Sequence, residues 1–125
     1  MDPQKLTVGV LRELFRNLQL WESLWETDHI DVLKGPNGVE YQLHDIQYLY
    51  ECRSMLSPRQ MEAIEMCLYR DIREKDVSLL MGVSPTNPVA MYATNGLERI
   101  LAMINAGKLP RFQVEQKKNE DTEVQ

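Results

Sequence analysis

Five basic residues, Arg59, Arg70, Arg73, Lys75 and Arg99, fall in one half of the chain. Guanidinium and ammonium groups of this kind hold phosphate oxygens. Close to them in sequence stand Thr86, Asn87, Ala90, Met91, Thr94 and Asn95. Asn pairs with the edge of adenine, and Ala, Thr or Met can touch a thymine methyl, so these types can read base edges. The other reactive residues lack a chemical pattern. His29 and His44 have no ligand-spaced Cys or His neighbour, so no metal site is expected. Glu22, Glu26, Asp28 and Asp31 read as a solvated rim without a motif for two-carboxylate catalysis. Gly35-Pro36-Asn37-Gly38 lacks the Gly-Lys-Ser or Gly-Lys-Thr of a phosphate loop and reads as a turn. No nucleophile–base arrangement is visible. Neither an enzyme nor a cofactor is expected.

The elements that would position these residues follow from periodicity. Residues 7–26 form an amphipathic helix: Val10, Leu11, Phe15, Leu18, Trp21 and Trp25 recur at spacings of three and four, with Thr7 as N-cap. Trp21 and Trp25 are expected in the core, and Glu13, Arg16, Asn17 and Glu22 on the wet side. Residues 29–43 alternate around Lys34-Gly35-Pro36-Asn37-Gly38, which predicts a β-hairpin leaning on helices. Helical spacing returns over 44–55 through Ile46, Leu49, Tyr50 and Met55. Ser57, Pro58 and Gln60 spell a capping box with proline at the first helical position, and that helix runs to about Tyr69. A short helix over Arg73–Met81 ends at Gly82. A polar turn follows, in which Asn87 can cap. The last helix, Pro88–Ala106, turns Val89, Ala93, Gly96, Leu97, Ile100, Leu101 and Ile104 inward, with Gly107 at its C′ position. Residues 112–125 have few apolar groups to bury, and disorder is expected there.

Composition narrows the class. A chain of 125 residues can bury a core without disulfides or metal. Cys52 and Cys67 sit in apolar helical patterns and read as free buried thiols. No apolar run approaches the roughly 20 residues of a membrane span, and no signal-like head is seen, so a cytoplasmic protein is expected. Residues 1–52 carry four Lys/Arg against nine Asp/Glu, whereas residues 53–111 carry eight against six. The only net-basic stretch is thus the one with the candidate phosphate contacts, though its field is weak.

Two short helices crossing at a tight turn need a small residue facing the crossing and a turn residue free to take positive φ. Ser78 and Gly82, four apart, meet those needs, and Val77, Leu80 and Val83 would make the apolar contacts. The helix after the turn would then enter a major groove.

The run Leu56-Ser57-Pro58-Arg59-Gln60-Met61-Glu62-Ala63-Ile64-Glu65-Met66 resembles the helix that precedes the helix-turn-helix in region four of RNA polymerase sigma factors. Val77-Ser78-Leu79-Leu80-Met81-Gly82-Val83-Ser84-Pro85 resembles that family's first motif helix and turn, and Gly96-Leu97-Glu98-Arg99-Ile100 the end of its recognition helix. The likeness covers residues 56–101. It implies promoter DNA and the polymerase core as partners, and Arg59 near the DNA backbone. One extra residue stands between Pro85 and Val89, and the last helix is poorer in basic residues than the family's. The size and the partial sigma likeness are also similar to regulators encoded by bacteriophages of actinobacteria.

The expectation is therefore a mainly α chain, a helix-turn-helix bundle of about five helices with one small β-hairpin. Residues 1–55 would form an N-terminal helix, hairpin and helix, 56–109 the sigma-like unit and 110–125 an acidic tail. The function expected first is a DNA-binding transcription regulator acting on double-stranded DNA. Its acidic half would be free to dimerise or to meet RNA polymerase or a sigma factor. The rival is a protein-interaction module of the same fold that binds polymerase, a sigma factor or another phage protein without reading DNA.

Overall fold

The computed structural model describes residues 6–83 and 88–109. Helix α1, Val8–Asp28, starts where Thr7 accepts a hydrogen bond from the Val10 amide at 3.2 Å, and ends at His29 in the left-handed region. Strands β1, Val32–Lys34, and β2, Glu40–Gln42, pair antiparallel, with Leu33 opposite Tyr41 and both buried. Helix α2, Leu43–Glu51, tightens into a 3₁₀ turn over Cys52–Met55. Helix α3, Pro58–Ile64, opens with the full capping box of Ser57 and Gln60 and widens into a π turn over Glu65–Tyr69. Helix α4 spans Glu74–Met81 and α5 spans Pro88–Asn105. The architecture is thus mainly helical, with one small two-stranded sheet. No described helix is long and apolar enough to cross a membrane.

One continuous apolar cluster holds these elements together. Leu11, Leu14, Phe15 and Leu18 of α1 meet Ile46 and Leu49 of α2, Ile64 and Leu68 around the π turn, and Leu97 and Ile100 of α5. Burying such side chains stabilises by about 1.5–3 kcal/mol each. Aromatic contacts reinforce the join. Tyr50 meets the Phe15 ring edge-on at 5.5 Å and stacks on Tyr69 at 4.8 Å, with the Arg53 guanidinium 3.9 Å above its ring. Cys52 and Cys67 are both buried.

Several residues depart from the periodic reading. Glu22 does not face water alone: its carboxylate accepts the Tyr69 hydroxyl at 2.6 Å and the Gln47 amide at 2.8 Å. That hydrogen bond, with burial second, pushes the Tyr69 phenol up to about 12. Trp25 is 44% exposed rather than in the core, because α1 outruns the cluster: its last buried residue is Leu18. Met55 is exposed too. The expected disordered tail at 112–125 lies outside the described residues.

Candidate nucleic-acid interface

The corner between α4 and the chain leading to α5 is built as the small-residue argument requires. Gly82 adopts φ +68°, where a β-carbon is strained. Its amide reaches the Leu79 carbonyl at 3.2 Å, and the Val83 amide reaches that of Ser78 at 3.0 Å, closing a Schellman-type stop. Arg59 adds a cationic cap, donating from Nη1 to the Met81 carbonyl at 2.7 Å. At the other end of α4, Glu74 and Asp76 stand in the first turn, where carboxylates suit the helix dipole. Val77 and Ser78 are buried in the seam. The Ser78 hydroxyl finds no hydrogen-bond partner there, so it is tolerated as a small group rather than used as a polar one. Leu80 was expected in this seam. It lies outside, 65% exposed, beside Leu79 at 74%. Eight residues make barely two turns, and the inner face of α4 is filled by Val77, Ser78 and Met81.

Helix α5 is buried along one side and open along another. Val89, Ala93, Gly96, Leu97 and Ile100 face the core. The approach is tight at Gly96, where a β-carbon would stand 2.7 Å from Ile64 Cδ1 and 3.2 Å from Leu56 Cδ1. Met91, Asn95 and Arg99, spaced by four, form the exposed strip with Glu98 and Ala102. Arg99 Nη1 donates to Gln60 Oε1 at 3.2 Å, which sets the far end of the strip beside the start of α3.

The candidate contact residues separate accordingly. Met91, Asn95 and Arg99 share the open strip. Ala90 and Thr94 were expected to face outward with them but turn toward α1. The Thr94 hydroxyl accepts from Arg12 Nη2 at 2.7 Å, and both Ala90 and Thr94 line a cleft of about 260 Å³. Arg70 and Arg73 are exposed and pair with Glu65 and Asp76, each at 3.2 Å. Exposed pairs are worth less than about 1 kcal/mol, so a phosphate can take the carboxylate's place. Lys75 is exposed as well, on the outside of α4. Arg59 is committed to Met81 and acts first on the corner itself. Thr86 and Asn87 lie outside the described residues.

Two arginines were missed by sequence reasoning. Arg12 and Arg16 of α1 line the same cleft as Ala90 and Thr94, together with Glu74 and Cys67. They come from the acidic half of the chain, so a tally along the sequence hides them. The one available signal was their spacing of four, which sets both on one side of α1. Burial, and secondarily the Glu74 carboxylate, push the Cys67 thiol up to about 11, against the opposing pull of Arg16. The thiol therefore stays protonated at neutral pH. Among the described residues no group of three or more His, Cys, Asp or Glu is placed to hold a metal ion. In comparisons with protein-family models, with curated proteins and with solved structures, nothing matches this chain.

Proposed function

We propose that this chain is a transcription regulator that binds double-stranded DNA through α4 and α5. The observation that carries the reading is the strip Met91–Asn95–Arg99, exposed on a helix whose other side is buried and set off from α4 by the Gly82 corner. A helix anchored this way can enter a major groove without disturbing the core. Asn95 suits an adenine edge and Met91 a thymine methyl. Arg12, Arg16, Arg73, Lys75 and Arg99 supply phosphate contacts, which set register and most of the affinity. The net charge of −5 opposes general adhesion to DNA, so binding depends on this local set.

A second reading is favoured by the exposed leucines. Leu79 and Leu80 put an apolar pair on the outside of α4, next to the proposed interface. That pair suits a protein surface such as RNA polymerase or a sigma factor better than a phosphate backbone. The two readings combine if the protein docks beside polymerase on DNA, and they conflict if the chain never touches DNA.

Salt dependence separates them. Fluorescence anisotropy of a labelled random-sequence duplex should show binding at low salt. The affinity should then fall by several hundred-fold between 50 and 200 mM salt, for about five phosphate contacts. Absence of binding at 50 mM salt leaves the protein-docking reading and removes this one.

A further inference from the structure

The cleft between α1 and the first turns of α5 is lined by two arginines, Arg12 and Arg16. Arg12 is half-buried, and among the described residues it forms no ion pair. Its one hydrogen bond there is the 2.7 Å contact from Nη2 to the Thr94 hydroxyl, which leaves most of its five N–H donors without a partner among the described residues. Arg16 shares the cleft and pairs with Glu13 of its own helix at 3.3 Å, an exposed contact that yields easily. Glu74 also lines the cleft but forms no ion pair with either arginine. A partly buried charge is costly unless an opposite charge meets it. Two guanidiniums at one opening offer the forked donors that fit a tetrahedral oxyanion.

From this the geometry points to the cleft as a seat for one phosphate group, gripped by Arg12 and Arg16 at the flank of α5. If α5 lies in a major groove, that group is a backbone phosphodiester. The N-terminal helix then fixes how deep and in what register α5 sits. A free phosphate or phosphorylated small molecule has the same chemistry and is the other source. The DNA assignment rests on the function proposed above; the phosphate seat does not.

Two arms test it. In the first, thermal unfolding is compared in sodium phosphate and in sodium chloride at equal ionic strength. The wild type should unfold at a higher temperature in phosphate, as any protein does with a ligand of its folded state. Arg16→Ala should reduce that gain. Arg16 is the safe position because its side chain is 44% exposed. Arg12→Lys should reduce the gain too, because an ammonium lacks the fork. Glu74→Gln should enlarge it by removing a like charge. Equal unfolding temperatures in the two salts overturn the proposal. So does a phosphate gain that both arginine variants retain. In the second arm, Arg16→Ala should make the logarithmic salt dependence of duplex binding shallower by about 0.9, the value of one phosphate contact. Duplex binding with an unaltered slope removes the cleft from the DNA contacts, keeps the DNA reading and leaves a phosphate gain in the first arm to a free phosphate. A phosphate gain with no duplex binding keeps the cleft and assigns it to a free phosphate.

Discussion

Gly96→Leu should lower the melting temperature by roughly 10 °C or more, a loss of about 3 kcal/mol, and should take DNA binding with it. At this point α5 runs so close to α3 that even a β-carbon would meet Ile64 Cδ1 at 2.7 Å, Leu56 Cδ1 at 3.2 Å and Gln60 Cβ at 3.4 Å. Ile64 is fully buried and Leu56 nearly so. A leucine adds three more carbons to that seam. Helix propensity favours leucine over glycine by somewhat less than about 1 kcal/mol, too little to offset the crowding. The helix must then lift from α3, and the Arg99–Gln60 contact and the exposed strip move with it. Gly96→Ala is the informative control. Its single carbon presses mainly on the tip of one isoleucine, and the propensity gain opposes the strain, so its melting temperature should stay near that of the wild type. Calorimetry on the two variants checks the point. A leucine variant as stable as the wild type would mean that α3 and α5 are not in close contact here.

The largest change in binding is expected from Met91→Glu combined with Asn95→Glu. Both side chains are exposed, Met91 at 54%, so no core packing is lost and stability should shift by no more than about 0.5 kcal/mol. The two new carboxylates repel each other slightly at a spacing of four, while that at 95 faces Arg99 one turn on, a favourable order. In the groove they would meet phosphates. At roughly 1–2 kcal/mol of repulsion for each charge, duplex affinity should fall about 100-fold. Thr94→Val, on the cleft side of the same helix, should leave direct base reading intact, because its hydroxyl serves Arg12. If the double-glutamate variant binds duplex as the wild type does, α5 does not enter the groove by this face.

The contrast between Thr94 and Asn95 shows where sequence reasoning stops. The local devices are legible. Thr7, the Ser57–Gln60 box, Gly82 and Gly107 all act within four residues of themselves, and each does what its type and position suggest. The inner stripe of α5 is legible too, because a period of 3.6 separates one face from the rest. What it leaves undivided is the remainder of the helix. Ala90 and Thr94 look as exposed in the sequence as Met91 and Asn95. The difference is made by Arg12, 82 residues away, when α1 lies along one flank. Glu22 is a similar case: its partners Gln47 and Tyr69 stand 25 and 47 residues off. Trp25 follows the apolar period but lies where α1 extends past the body it packs on, and Leu80 lies outside a seam already filled by Val77, Ser78 and Met81, which no local pattern records. The basic rim was half-visible for the same reason. Charges counted along the chain assign Arg12 and Arg16 to the acidic half, whereas folding brings them beside α5.

The most direct measurement is a backbone amide map of the labelled protein by nuclear magnetic resonance, with and without a short duplex at low salt. Groove entry by α5 should shift the signals of Gly82, Met91, Asn95 and Arg99, together with Arg12 and Arg16, and leave the hairpin unchanged. Silent signals throughout α5, or shifts confined to Leu20–Val32, would contradict it.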